Sequence, residues 1–161
     1  MNQVLEHTFE RLDRAALARQ VERLVTRLHP TVTLERRRDD RVAMPVLLRL
    51  VPLDEDHQPI DDQAITVIGK NISRRGVSFY HNRPLAYRRA LISVEHPTLD
   101  EFSAEIDVTW CRFTKPGWYE SGGRLMAAMT AQPPALRGAT KSAVRLPPAA
   151  RPGEESNGSM V

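Results

Sequence analysis

Between Val42 and Met129 the chain is cut into six runs of strand character, separated by residues that favour turns. Ala104-Glu105-Ile106-Asp107-Val108-Thr109-Trp110 alternates strictly and is the clearest of them. Val42–Leu53 places Met44, Val46, Leu48 and Leu50 on one parity and Arg49 on the other, with Pro45 and Pro52 pointing to a sheet edge or irregular ends. Ile65–Lys70 follows, with Gly69 marking a bulge, and then Val77–Tyr80 and Leu91–Val94. The last run, Trp118–Met129, returns after the turn Lys115-Pro116-Gly117, and Gly122-Gly123 is expected to loosen its middle. Six short strands with regular turns predict a mainly β fold, a six-stranded antiparallel barrel that removes most exposed edges.

The flanks differ from this barrel, residues 31–131. Residues 1–30 read as a long amphipathic helix over 2–28. Leu5, Phe9, Leu12 and Ala16, then Leu17, Val21, Leu24 and Leu28, recur at helical spacing between charged residues until Pro30. At about 1.5 Å per residue such a helix would reach about 40 Å. Its stripe can pack on its own domain or pair with a second copy in a homodimer. Residues 132–161 hold prolines and polar residues with little to bury, so this tail is expected to be disordered. No apolar stretch approaches the length that spans a bilayer and the N-terminus lacks the features of a signal peptide, so the expected location is the cytoplasm, with no membrane partner.

Two short stretches stand at the ends of strands. Arg36-Arg37-Arg38-Asp39-Asp40-Arg41 places four arginines in six residues just before Val42. Asn71-Ile72-Ser73-Arg74-Arg75-Gly76 supplies an amide, a hydroxyl, two arginines and a glycine. Guanidinium groups stay charged and offer a planar fork of donors suited to phosphates and guanine edges. Asn, Ser and Gly favour a turn. With a net charge of only +3 on 161 residues, this positive charge is local, which suits a compact anionic ligand better than a long nucleic acid.

The pair resembles the PilZ domain, a bacterial receptor module for cyclic di-GMP, whose pattern is R-x-x-x-R followed about thirty residues later by (D/N)-x-S-x-x-G. Arg37 and Arg41 match the first half, with Arg38 as the optional second arginine. Asn71, Ser73 and Gly76 match the second. Over roughly residues 35–130 the resemblance implies the same barrel and a ligand site of Arg36, Arg37, Arg38, Arg41, Asn71, Ser73, Arg75 and Gly76. In that site Arg37 and Arg41 would clamp the dinucleotide, while Arg36 and Arg38 would reach a second, stacked molecule. Asn71 would accept and donate along a guanine edge, Ser73 would bond to backbone or guanine, and Gly76 would let the chain turn beneath the ligand. It further implies a signalling role: a receptor that passes the second-messenger signal to an effector protein not readable here.

Chemistry of other kinds finds little support. The histidines at 7, 29, 57, 81 and 96 show no metal-ligand spacing, no phosphate loop of Walker type occurs, and the lone Cys111 beside Trp110 reads as packing. No catalytic residue, metal or resident cofactor is therefore expected, and no enzyme. Two alternatives remain beside the receptor: a PilZ-like adaptor that does not bind the nucleotide, and a small barrel that binds nucleic acid through its arginines with Tyr80, Tyr87 or Phe79 stacking bases. Aromatic content of 6%, with no aromatic between the arginines, argues against the second.

Overall fold

A computed structural model describes residues 8–30, 41–96 and 102–131. In chain order these give β1 (Phe9–Arg11), α1 (Arg14–Leu28), β2 (Val42–Ala43), β3 (Leu47–Pro52), β4 (Ile65–Ile72), β5 (Gly76–His81), β6 (Arg89–Val94), β7 (Ser103–Lys115) and β8 (Trp118–Ala131). Every pairing is antiparallel. Neighbours run β3-β4-β5-β8-β7-β6, and β6 pairs back onto β3, so six strands close into a barrel. Closure removes most of the free edges of these strands, the half of β7 from Trp110 onward having β8 alone as its strand partner.

Two added strands continue the barrel at its rims. β1 pairs with β8 at Met129–Ala131, beyond the reach of β5, and β2 pairs with β4 at Asn71–Ile72, beyond the reach of β3. The run expected as one strand over Val42–Leu53 is thus broken at Met44–Val46. Pro45 has no N–H to give there, while Met44 N donates to Lys70 O and Gly69 N donates to Val46 O.

The helix is shorter than its periodicity implies. Asp13 caps it by accepting from Ala16 N at 2.7 Å, and the 15 residues that follow give about 22 Å instead of about 40 Å. The preceding residues are drawn into the sheet. Gln58 accepts from Phe9 N and donates to Phe9 O, and Arg11 reaches the fully buried Glu105 at 2.6 Å. Arg89 and His57 bind the same carboxylate, at 2.8 and 3.1 Å, so Glu105 ties β1, the loop after β3 and β6 to β7. Leu17, Val21, Leu24 and Val25 bury in the same core as Leu48, Leu50, Ile72, Phe79, Ile92 and Ile106. The stripe therefore covers its own barrel, and none of the described helices is long and apolar enough to cross a membrane. Residues 2–7 of the expected helix and all of the expected disordered tail, residues 132–161, lie outside the described residues.

β7 and β8 run to 13 and 14 residues and project past the barrel as a hairpin, exposed from Thr109 to Gly117. Gly122 and Gly123 do not loosen β8: both pair with β5 and β7 at once. Cys111 is exposed on this hairpin and is not a packing residue.

Inside the barrel, His81 is buried between Arg83 O, 2.6 Å from Nδ1, and Ser121 Oγ, 2.7 Å from Nε2. A carbonyl only accepts, so Nδ1 carries the proton and Nε2 accepts from the serine. Desolvation pushes the imidazole below its usual 6.5, against the opposing pull of Arg83 O. The unfolded chain then binds more protons than the folded one just below pH 6.5, so stability from this group is complete above that pH and is lost as pH falls. Urea unfolding at pH 7.5 and 5.5 should show a drop at the lower pH, and the His81 ring resonance should begin to titrate only below 6.5. A ring that titrates at 6.5 or above contradicts the assignment.

Candidate functional site

The site begins at the bulge in β4. Pairing to β5 runs Gly69↔Phe79 and then Asn71↔Ser78, so Lys70 is the additional residue. Such an insertion changes the alternation, and Lys70 and Asn71 come to serve the same outer face. Lys70 reaches Glu120 there, and Asn71 reaches Ser78. Register fixes the rest of that face. Ile68, Tyr80, Glu120 and Arg112 form one cross-strand row; Asn71, Ser78, Gly122 and Trp110 form the next. The turn Ser73–Arg75 closes the end.

The two arginine-bearing stretches meet here. Arg41 donates from Nη1 to Asn71 Oδ1 at 3.3 Å, across 30 residues of sequence, because β2 lies beside the last two residues of β4. Ser78 donates to the same oxygen at 2.7 Å. An arginine only donates, so the atom facing it must be the amide oxygen, which leaves Nδ2 of Asn71 to donate outward. The Asn71 acceptor is thus engaged within the protein, and Nδ2 is the group of this amide left to meet a ligand.

Ser73 takes the backbone-bonding role of the two expected for it, and Gly76 acts differently from expectation. Ser73 is 1% exposed, and its Oγ accepts from Arg75 N at 3.2 Å and Gly76 N at 3.1 Å. It shapes the turn and is a positioning residue. Gly76 does not adopt a positive φ; among the described glycines only Gly117 does. Its lack of a side chain matters because a Cβ would lie 2.9 Å from Gly123 O on β8. Arg75 stands exposed at the tip, while Arg74 turns back to Glu22 of α1 at 2.5 Å. Arg36, Arg37 and Arg38 lie outside the described residues.

Sequence reasoning missed the outer face of β7 and β8. Trp110 lies on the outside at 36% exposure, over Gly122, where a Cβ would meet the indole at 2.4 Å. Arg112 sits 5.6 Å from the Trp110 ring centroid and donates twice to Glu120, at 2.6 and 3.0 Å. Lys70 donates to the other oxygen of Glu120 at 2.7 Å and lies 5.6 Å from the Tyr80 ring centroid. Burial alone would push the Glu120 carboxyl up, but hydrogen bonds and charge from Lys70 and Arg112 outweigh it and hold the group below 4.5. The hydrogen bond to Glu120 raises Lys70 above 10.5, so both stay charged near neutral pH. The only prior signal was the alternation that puts Trp110 and Arg112 on one parity; pairing with Gly122 and Glu120 needed the register.

The face can hold a flat anion. It offers guanidinium and amide donors at the Arg41–Asn71 end, an exposed indole in the middle, and further cations beyond. Among the described residues no group of three or more His, Cys, Asp or Glu gathers as a metal site would require.

No family model matches the chain, and no curated protein matches its sequence. Among solved structures, K. pneumonia MrkH in its apo state is similar at a TM-score of 0.40 and 14% identity, over 59% of this chain and 46% of that one. The match therefore spans less than half the length of that protein.

Proposed function

We propose that the protein is a PilZ-like receptor module that binds cyclic di-GMP on the outer face of its barrel and passes that signal to a protein partner. The observation that carries the reading is the Arg41–Asn71 contact, which joins the two halves of the sequence pattern at one place. Arg41 supplies charge for a phosphate, Asn71 Nδ2 a donor for a guanine acceptor, and Ser73 the fixed turn beneath them. Trp110 offers a flat apolar surface for a base, of the kind that contributes about 1–3 kcal/mol per stacked base. Arg37, and Arg36 and Arg38 beside it, belong to this reading by sequence pattern alone.

Titration calorimetry of cyclic di-GMP into the purified protein should give a dissociation constant of low micromolar or better, about −8 kcal/mol. A single-stranded oligonucleotide titrated in parallel should bind more weakly and lose affinity steeply with salt. Saturating dinucleotide that produces neither heat nor a rise in melting temperature would leave the ligand-free adaptor as the better reading.

A further inference from the structure

Beyond the Arg41–Asn71 end, the same face opens into a cleft of about 500 Å³ lined by Ile68, Lys70, Tyr80, Arg112, Trp118 and Glu120, with Thr114 and Lys115 at the rim. Its floor is a ladder in which cation, carboxylate, cation and aromatic follow one another, Arg112, Glu120, Lys70 and Tyr80, with Trp110 beside Arg112 just outside the cleft. Glu120 is 3% exposed and both its oxygens are engaged, so it fixes Lys70 and Arg112 side by side and shows little of its own charge to the cleft. An ammonium has three donors and a guanidinium five; one of the first and two of the second go to Glu120. The remainder, with exposed Lys115, can point at an oxyanion, and Tyr80 and Trp118 offer ring surfaces beside it.

We propose that this cleft is a second subsite, for a phosphate that carries a planar base: the nucleotide half of the dinucleotide that Arg41 and Asn71 do not hold. The identity of the base rests on the cyclic di-GMP reading; the anion-and-ring chemistry rests on the cleft itself. Lys70 and Asn71 are adjacent in sequence and share the face through the bulge, so the two subsites are contiguous, as two halves of one small ligand require. Three cations facing one already engaged carboxylate favour an anion over a neutral or cationic guest.

The test titrates GMP and, separately, cyclic di-GMP into the full chain and into two variants. Lys115→Glu reverses an exposed rim charge without touching the core, and Trp118→Leu removes the ring wall. Each should weaken both nucleotides by about tenfold, the size of one lost charge-assisted or stacking contact. Cyclic di-GMP bound with unchanged affinity by both variants overturns the subsite and leaves the receptor reading standing. GMP bound in a manner sensitive to both variants, with no binding of cyclic di-GMP, keeps the subsite and overturns the receptor reading. Binding of neither nucleotide by the unaltered chain overturns both. Lys115→Glu stays decisive should Trp118→Leu fail to fold.

Discussion

Arg41→Ala is expected to weaken cyclic di-GMP binding by about thirtyfold to a thousandfold, equivalent to about 2–4 kcal/mol. The loss has two parts. One is a charge-assisted contact to phosphate, and the other is the hold on Asn71 Oδ1, which fixes the direction in which the amide presents its Nδ2. Ser78 keeps one bond to that oxygen in the variant, so the amide is loosened without being released. Arg83→Ala, on the exposed loop after β5, should cost well under about 1 kcal/mol because a distant surface charge is screened. Arg89 is no such control, since its removal would leave Glu105 buried with a cation missing. Calorimetry of both variants at low and moderate salt separates a clamp from general attraction. Equal losses for Arg41 and Arg83, growing as salt is lowered, would point to nucleic acid and away from the receptor.

The largest effect on stability is expected from Gly123→Ala, about 3 kcal/mol or more. β8 passes between β5 and β7 at that residue, paired to Val77 on one side and Val108 on the other. A Cβ would lie 2.3 Å from Asp107 O, 2.8 Å from its carbonyl carbon and 2.9 Å from Val108 Cα. All three are backbone atoms in paired strands, so no side-chain rotation relieves the contact. Gly117→Ala at the hairpin tip has open space around it and only an unfavourable φ of 79°, which should cost about 1–2 kcal/mol. Urea midpoints of the two variants give the comparison. A Gly123 variant as stable as the Gly117 variant would mean that β7 and β8 can part there at little cost.

Much of the barrel was legible because alternation is a local property. Ala104–Val108, Val77–Tyr80 and Leu91–Val94 each declare their inward residues without reference to any partner. The bulge was legible as well, through Gly69. Its consequence was not, because the phase change that brings Lys70 and Asn71 to one face is defined only against β5. The same limit hid Glu120: a carboxylate at an alternating position reads as solvated, and only the register shows Lys70 and Arg112 closing over it. The N-terminal segment misled for a different reason. Phe9 fits a helical stripe, yet long-range bonds from Gln58 to Phe9 and from Glu105 to Arg11 outweigh the few turns of isolated helix that the stripe could have formed. For the candidate site, Arg41, Asn71, Ser73 and Gly76 were found by pattern, while two of their roles came only from atomic neighbours.

The position of α1 bears on what could dock there. With Leu17, Val21, Leu24 and Val25 turned into the barrel, the outward side shows Arg14, Arg19, Glu22, Arg23, Thr26 and Arg27. A surface of that kind recognises by long-range field more than by contact area. An acidic partner would be drawn to it quickly and released readily, with an association rate that falls as ionic strength rises. Glu22 is its one described acidic member, and it is held by Arg74 of the turn at the end of the candidate face. Whatever shifts that turn therefore also changes how much negative charge the helix displays, and so the sign pattern that an approaching molecule meets.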